Sequence, residues 1–204
     1  MIKKDGEWAV AEKEGTDLTE VLGVLKWEPP IPAQLAGICK GAFPASIPKT
    51  DEERIQNLVD KWDELSNDEY EVTEKLEGSS MTVAMIDGEF NVCSRNLNLQ
   101  ETDTSTFWIL ARRDNIEQKL RDAGLDNIAI QGELVGEGVQ GNHYDLKGQM
   151  FFVFSIYNIK DGKYLLPEFR RALCEKLGLK HVPLISDRFW PARSGYKAAD
   201  MLLM

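Results

Sequence analysis

Alternation of polar and apolar positions organises most of the chain. Val72 to Leu76 and Met81 to Ile86 read as extended runs, Asp87-Gly88 as a hairpin turn, and Phe90 to Arg95 as the returning strand. Upstream the period is helical. Thr50 stands as an N-cap with Glu53 three residues on, and Ile55, Leu58, Val59, Trp62 and Leu65 share one face, which predicts a helix with Trp62 in the core. Further along, Thr106 to Asp122 reads as a helix closing at Gly124, and Asn127 to Val135 as a strand. A glycine-rich loop, Gly136 to Gly148, leads to a buried strand, Phe151 to Ile159, and Asp161-Gly162 turns it into a short partner. Pro167 to Leu177 is a helix with proline in its first turn and Gly178 as its C-cap. His181 to Ile185 is a last short strand, and a helix starts near Tyr196. Hairpins with interspersed helices predict an α+β domain of antiparallel sheets flanked by helices.

With 204 residues, 43% of them hydrophobic, the chain can bury one substantial core. Residues 1–32 read as an arm and linker: Asp17-Leu-Thr-Glu20 caps a helical turn or two, and Trp27-Glu-Pro-Pro-Ile-Pro32 cannot continue it. Residues 33–204 read as the domain proper. No apolar run is long enough to span a bilayer, and the N-terminus lacks the apolar stretch of a signal peptide. Three separated cysteines fit reduced thiols, so a cytoplasmic protein is expected. Two histidines and no paired cysteines give no basis for structural zinc. A net charge of −10 implies that nucleic acid, if bound, is held by a local basic groove and not by the general field.

The centre of chemical interest is Glu74-Lys75-Leu76-Glu77-Gly78-Ser79-Ser80. At strand spacing Lys75 and Glu77 share a face, and Gly78 lets the backbone turn into a ligand cleft. A lysine amine attacks only when unprotonated, so a nucleophilic role needs desolvation or neighbouring positive charge. By itself the motif also suits a solvated turn. Downstream come Ser94-Arg95-Asn96, Gln131-Gly-Glu133-Leu134 and Phe151-Phe-Val-Phe154. Singly, Arg95 reads equally as a surface charge, Glu133 as a salt-bridged strand residue and Phe154 as core. The ordered series is harder to assign to accident.

In that order the motifs resemble those of the covalent nucleotidyltransferases, and within them the ATP-dependent RNA ligases whose lysine motif is written K-x-D-G; here it is Lys75-Leu-Glu-Gly78. Pro29 to Leu35 and Phe43 to Asn57 are similar to the linker and domain opening of the branch with an N-terminal OB module, and the similarity runs from about Gly15 to at least Tyr157. The resemblance implies the ATP-grasp-like ligase adenylation fold. It implies that Lys75 attacks the α-phosphorus of ATP to give lysyl-AMP, for transfer to a 5′-phosphate RNA end and sealing to a 3′-hydroxyl in RNA repair or processing. Arg95 would hold ribose or phosphate, Glu133 the ribose hydroxyls or a metal-bound water, and Phe154 would stack on adenine. Glu74 would help place the adenine edge, with Glu77 and Gly78 completing the nucleotide-binding set. Magnesium, or manganese in its place, would be carried by substrate oxygens and waters, with few protein ligands.

Two departures accompany the resemblance. The acid-glycine pair and lysine-rich strand that close the family's pattern do not occur before Met204, and Met1 to Val24 is too short for an OB module, which reads as truncation at both ends. The alternatives are a non-catalytic nucleotide- or RNA-binding remnant, or a DNA ligase or capping-type enzyme. Gly136-Glu-Gly-Val-Gln-Gly141 lacks the Gly-Lys-Ser/Thr ending of a P-loop and reads as a substrate-side loop, with His143 exposed and able to meet RNA. Oligomeric state is left open.

Overall fold

The structure is a computed structural model that describes residues 2–4, 7–9, 23, 37–197 and 200. The chain divides into two compact units, residues 1–33 and residues 34–204. In the first, β1 (Ile2–Lys4) and β2 (Glu7–Ala9) form an antiparallel pair in which Lys3 faces Trp8. The lead-in helix expected near Asp17 and the proline connector lie outside the described residues, as does most of the helix expected after Tyr196.

The second unit is built on one mostly antiparallel sheet. Its strands are β3 (Cys39–Ala42), β5 (Ser79–Ile86), β6 (Glu89–Cys93), β7 (Leu97–Leu99), β8 (Ile128–Gly136), β9 (Gln149–Asn158), β10 (Lys163–Tyr164) and β11 (Lys180–His181). They run in the order β10-β9-β8-β5-β6-β7-β3, and β11 lies parallel beside β9. A separate ribbon pairs β4 (Tyr70–Thr73) with β12 (Leu184–Phe189).

The two faces of the sheet carry different chemistry because side chains alternate along each strand. Met81, Val83 and Met85 of β5 and Ile128, Ile130 and Leu134 of β8 enter the main core. Three helices cover them: α2 (Thr106–Arg113), α3 (Ile116–Asp122) and α4 (Pro167–Leu177). On the opposite face Ser80 pairs with Glu133 and Thr82 with Gln131, while Ala84 and Ala129 meet Phe43 and Ile47 in a smaller cluster. Polar side chains persist there because the covering chain is thin and irregular. The amide of fully buried Gln131 donates to the Pro48 carbonyl at 2.8 Å.

Two expected helices change form. The helix predicted over residues 50–65 is extended to Arg54, then two 3₁₀ turns (Ile55–Asn57 and Val59–Lys61) and one α turn, α1 (Trp62–Leu65). Its capping residues are used elsewhere. The Thr50 hydroxyl pairs with that of Ser80 at 3.2 Å, and Asp51 pairs with Arg95. None of its periodic apolar residues is fully buried, and Trp62 is only half-buried, so no packed face sustains a longer helix. The helix predicted over residues 106–122 breaks between α2 and α3, where Asn115 takes a left-handed φ of 52°. That kink lets Ile116 and Leu120 re-enter the core.

Candidate active site

Lys75 sits in the loop joining β4 to β5, two residues past the end of β4 and not within the strand. Its side chain is exposed, because a residue beyond the sheet's edge has no strand neighbours to cover it, so of the two conditions for a nucleophilic lysine desolvation is not met. The loop itself is held at several points. The Glu74 N–H donates to the Pro183 carbonyl at 2.9 Å, the Glu77 N–H to the Tyr144 hydroxyl at 2.6 Å, and the Gly78 N–H to the Glu133 carboxylate. Glu74 and Glu77 are exposed.

Gly78 stands at a bend, as the sequence suggested, and close packing places a second requirement on it. It has no left-handed φ, but a Cβ there would stand 2.3 Å from the Leu134 carbonyl oxygen and 2.7 Å from Val135 Cγ1. The bare backbone is what lets the lysine loop lie flat on β8.

Glu133 is the electrostatic centre of the face. Burial raises its carboxyl above the usual range, opposed by the Gly78 N–H and by the positive charges of Lys75 and Arg95. Lys75 and Arg95 therefore both bear on one carboxylate. The sign of the linkage follows: the folded state holds the Glu133 proton more tightly than the unfolded chain does, so stability from the neutral acid is full below about pH 4.3 and is lost as pH rises through the folded value. Glu133→Gln is expected to match the wild type at the acid end and to exceed it in urea midpoint at neutral pH. Parallel urea curves at the two pH values check this, and an equal gap at both would contradict it.

Arg95 lies in the tight turn between β6 and β7, closed by the Ser94 N–H to the Leu97 carbonyl at 2.9 Å, and its guanidinium is clasped by Asp51. The adjoining chain is laced to the same face: Lys49 Nζ donates to Asn96 Oδ1 at 3.2 Å, beside the Thr50 and Pro48 contacts. Sequence reasoning missed Asp51 because its acidic neighbours read as a helix opening. Phe154 is the extra residue of a bulge: Gln131 faces Ser155, Gly132 faces Val153, and Phe154 is left without an opposite number on β8. Phe152, also missed, stands in register with Glu133, with Lys180 Nζ 5.6 Å from its ring centre.

Among the described residues no group of three or more His, Cys, Asp or Glu side chains is placed to hold a metal ion, and no helix is long and apolar enough to cross a membrane. All three cysteines are buried and none forms a disulfide, and burial pushes the thiols of Cys93 and Cys174 up to about 12 and about 11.

An antiparallel sheet flanked by helices, with a lysine loop packed on one of its central strands, is the fold of a nucleotidyltransferase domain, and solved structures carry it. Naegleria gruberi RNA ligase, solved without ligand as an aspartate-to-alanine variant, matches with a TM-score of 0.77 and 42% identity over 95% of this chain and 57% of that one. A glutamate variant of that enzyme with AMP and manganese gives the same values. The enzyme with pyrophosphate matches with a TM-score of 0.72 and 44% identity over 88% of this chain and 54% of that one. The family model described as RNA ligase matches residues 68–201. The chain belongs to the RNA ligase family. It spans little more than half the length of the Naegleria chains, and comparison with curated protein sequences yields no match.

Proposed function

We propose that residues 33–204 form the adenylation domain of an ATP-dependent RNA ligase in which Lys75 takes AMP from ATP. The Lys75 amine, having given up its proton, forms a bond to the α-phosphorus as the bond to the β-phosphate oxygen breaks, leaving lysyl-AMP and pyrophosphate. Arg95, oriented by Asp51, is placed to hold ribose or phosphate through its planar donors. Glu133 accepts from the ribose hydroxyls, the ring of Phe154 stacks on adenine, and Glu74 borders the base. Glu77 and Gly78 set the loop. AMP then passes to a 5′-phosphate RNA end and leaves when that end is sealed to a 3′-hydroxyl. Magnesium or manganese would ride on phosphate oxygens and water, with the carboxylates of Glu133 and Glu77 the protein oxygens at hand; when bound it offsets phosphate charge. Buried, reduced cysteines favour a cytoplasmic setting.

The observation that carries the reading is the 42% identity of this chain to an RNA ligase solved with ATP and manganese, and the positive charges of Lys75 and Arg95 both act on the Glu133 carboxyl in support of it. Spacing supports it further. The Naegleria variants include a lysine, an aspartate two residues after it and an arginine twenty-one residues before it. Here Glu77 and Arg54 stand at those offsets from Lys75, which adds Arg54, exposed and extended, to the proposed set.

Incubated with magnesium and ATP, the purified chain is expected to gain one AMP by intact mass, and no GMP when GTP replaces ATP. Nucleotide binding without an adduct would instead mark a non-catalytic remnant, and a GMP adduct a capping-type enzyme.

A further inference from the structure

The glycine-rich loop between β8 and β9 is a built structure in its own right. At its base the Glu137 N–H donates to the Gly148 carbonyl at 3.0 Å and the Gln149 amide to the Glu137 carbonyl at 2.8 Å. Gly136 takes a φ of +118°, and a Cβ there would meet the Gly148 carbonyl oxygen at 2.1 Å. Midway, Val139 is buried in the main core. At the tip the Asn142 side chain bonds both the N–H and the carbonyl of Leu146, at 3.1 and 3.0 Å. The next two residues, His143 and Tyr144, reach the lysine loop. The Tyr144 hydroxyl accepts the Glu77 N–H at 2.6 Å, and His143 Nε2 stands 3.9 Å from the Glu77 carboxylate.

Glu77 is two residues from the nucleophile, and the Gly78 N–H beside it is already taken by Glu133. Two successive backbone donors of the lysine loop are thus held by two different elements, one of them a tyrosine hydroxyl. We propose that Tyr144 is a positioning residue for Lys75: its hydroxyl fixes the backbone from which the amine attacks, and it touches no reacting atom. The proposal rests on the reading of Lys75 as nucleophile. Small misplacements of an attacking group lower rate more than affinity, because binding depends on many contacts and attack on one alignment.

Tyr144→Phe keeps the ring and removes only the hydroxyl. Under single-turnover conditions at saturating ATP, the variant is expected to form lysyl-AMP about tenfold more slowly than wild type, with half-saturation by ATP and melting temperature little changed. Amide hydrogen exchange at Glu77 is expected to quicken about tenfold in the same variant, since that N–H loses its acceptor. An unchanged adenylylation rate in Tyr144→Phe, or unchanged exchange at Glu77, would overturn the assignment, as would a rate lost only in Tyr144→Ala, which marks ring packing instead. Wild-type protein that forms no adduct would sink the nucleophile reading itself, and exchange at Glu77 would still decide whether the hydroxyl holds the loop.

Discussion

Lys75→Arg is expected to form no detectable AMP adduct while unfolding at the same urea concentration as wild type. The side chain is exposed and in a loop, so the fold does not depend on its shape, and a surface change of this kind moves stability by no more than about 0.5 kcal/mol. Arginine also keeps the positive charge that Glu133 faces. It cannot serve as the nucleophile, because a guanidinium stays protonated throughout the accessible pH range. Charge, burial and fold are thus preserved while nucleophilicity is removed, and the expected loss is at least about a thousandfold, the scale on which a single catalytic group is felt. Intact mass after incubation with ATP and magnesium, beside a urea titration, provides both readouts. An adduct surviving in Lys75→Arg would move the covalent attachment to another residue.

The largest stability effect is expected at Glu71, four residues before Lys75 and outside the proposed site. This β4 carboxylate is only 6% exposed and is clasped by both Arg170 and Arg171 of α4. Arg170 also donates through Nε to His181 Nε2 at 3.0 Å, while His181 Nδ1 bonds the Val182 carbonyl at 2.6 Å. Burial, with the nearby Arg170 and Arg171 charges, lowers the His181 pKa and so keeps the ring neutral, able to accept from Arg170. Glu71→Ala removes the buried carboxylate that clasps both cations, a loss of about 3–5 kcal/mol for a buried pair. Glu71→Gln keeps the volume and an acceptor and is expected to lose less. The cluster joins the β4–β12 ribbon to α4 and β11, and β4 ends just before the lysine loop, so Glu71→Ala is also expected to weaken adenylylation at temperatures where it remains folded. Urea midpoints for the two variants check the first claim; a change below about 1 kcal/mol in Glu71→Ala would show that the arginines find other partners.

Local patterning read the central strands well, but the single strand expected over His181 to Ile185 divides at Val182 and Pro183 into β11 and β12, which join different sheets. Asp87-Gly88 does make the hairpin between β5 and β6, with Asp87 and Gly88 both at positive φ, and Gly178 does end α4 in the left-handed conformation. Turn and cap residues act through their own backbone, so the signal is legible without the rest of the fold. Helical spacing failed at residues 50–65 because periodicity reports only that a face exists, not that a core waits for it. There the side chains of Thr50 and Asp51 satisfied Ser80 and Arg95 instead of an N-terminal turn.

For the site the division is similar. The proposed residues Lys75, Arg95, Glu133 and Phe154 were legible as an ordered series because each belongs to a short motif readable from its own stretch of chain. Tyr144, Asp51 and Phe152 were not, since each acts on a residue distant in sequence: Tyr144 on Glu77, Asp51 on Arg95, and Phe152 on the Glu133 register. The sequence by itself determined most of the strand pattern and the family resemblance, and it supplied the residues proposed for the site. Only the tertiary structure decided that Gly78 serves close packing as well as a bend, that Phe154 occupies a bulge, and that the β8–β9 loop grips the lysine loop. The physical reason is that steric clearance, register and long-range hydrogen bonds are properties of two segments at once, and no single stretch of chain encodes where its partner will lie.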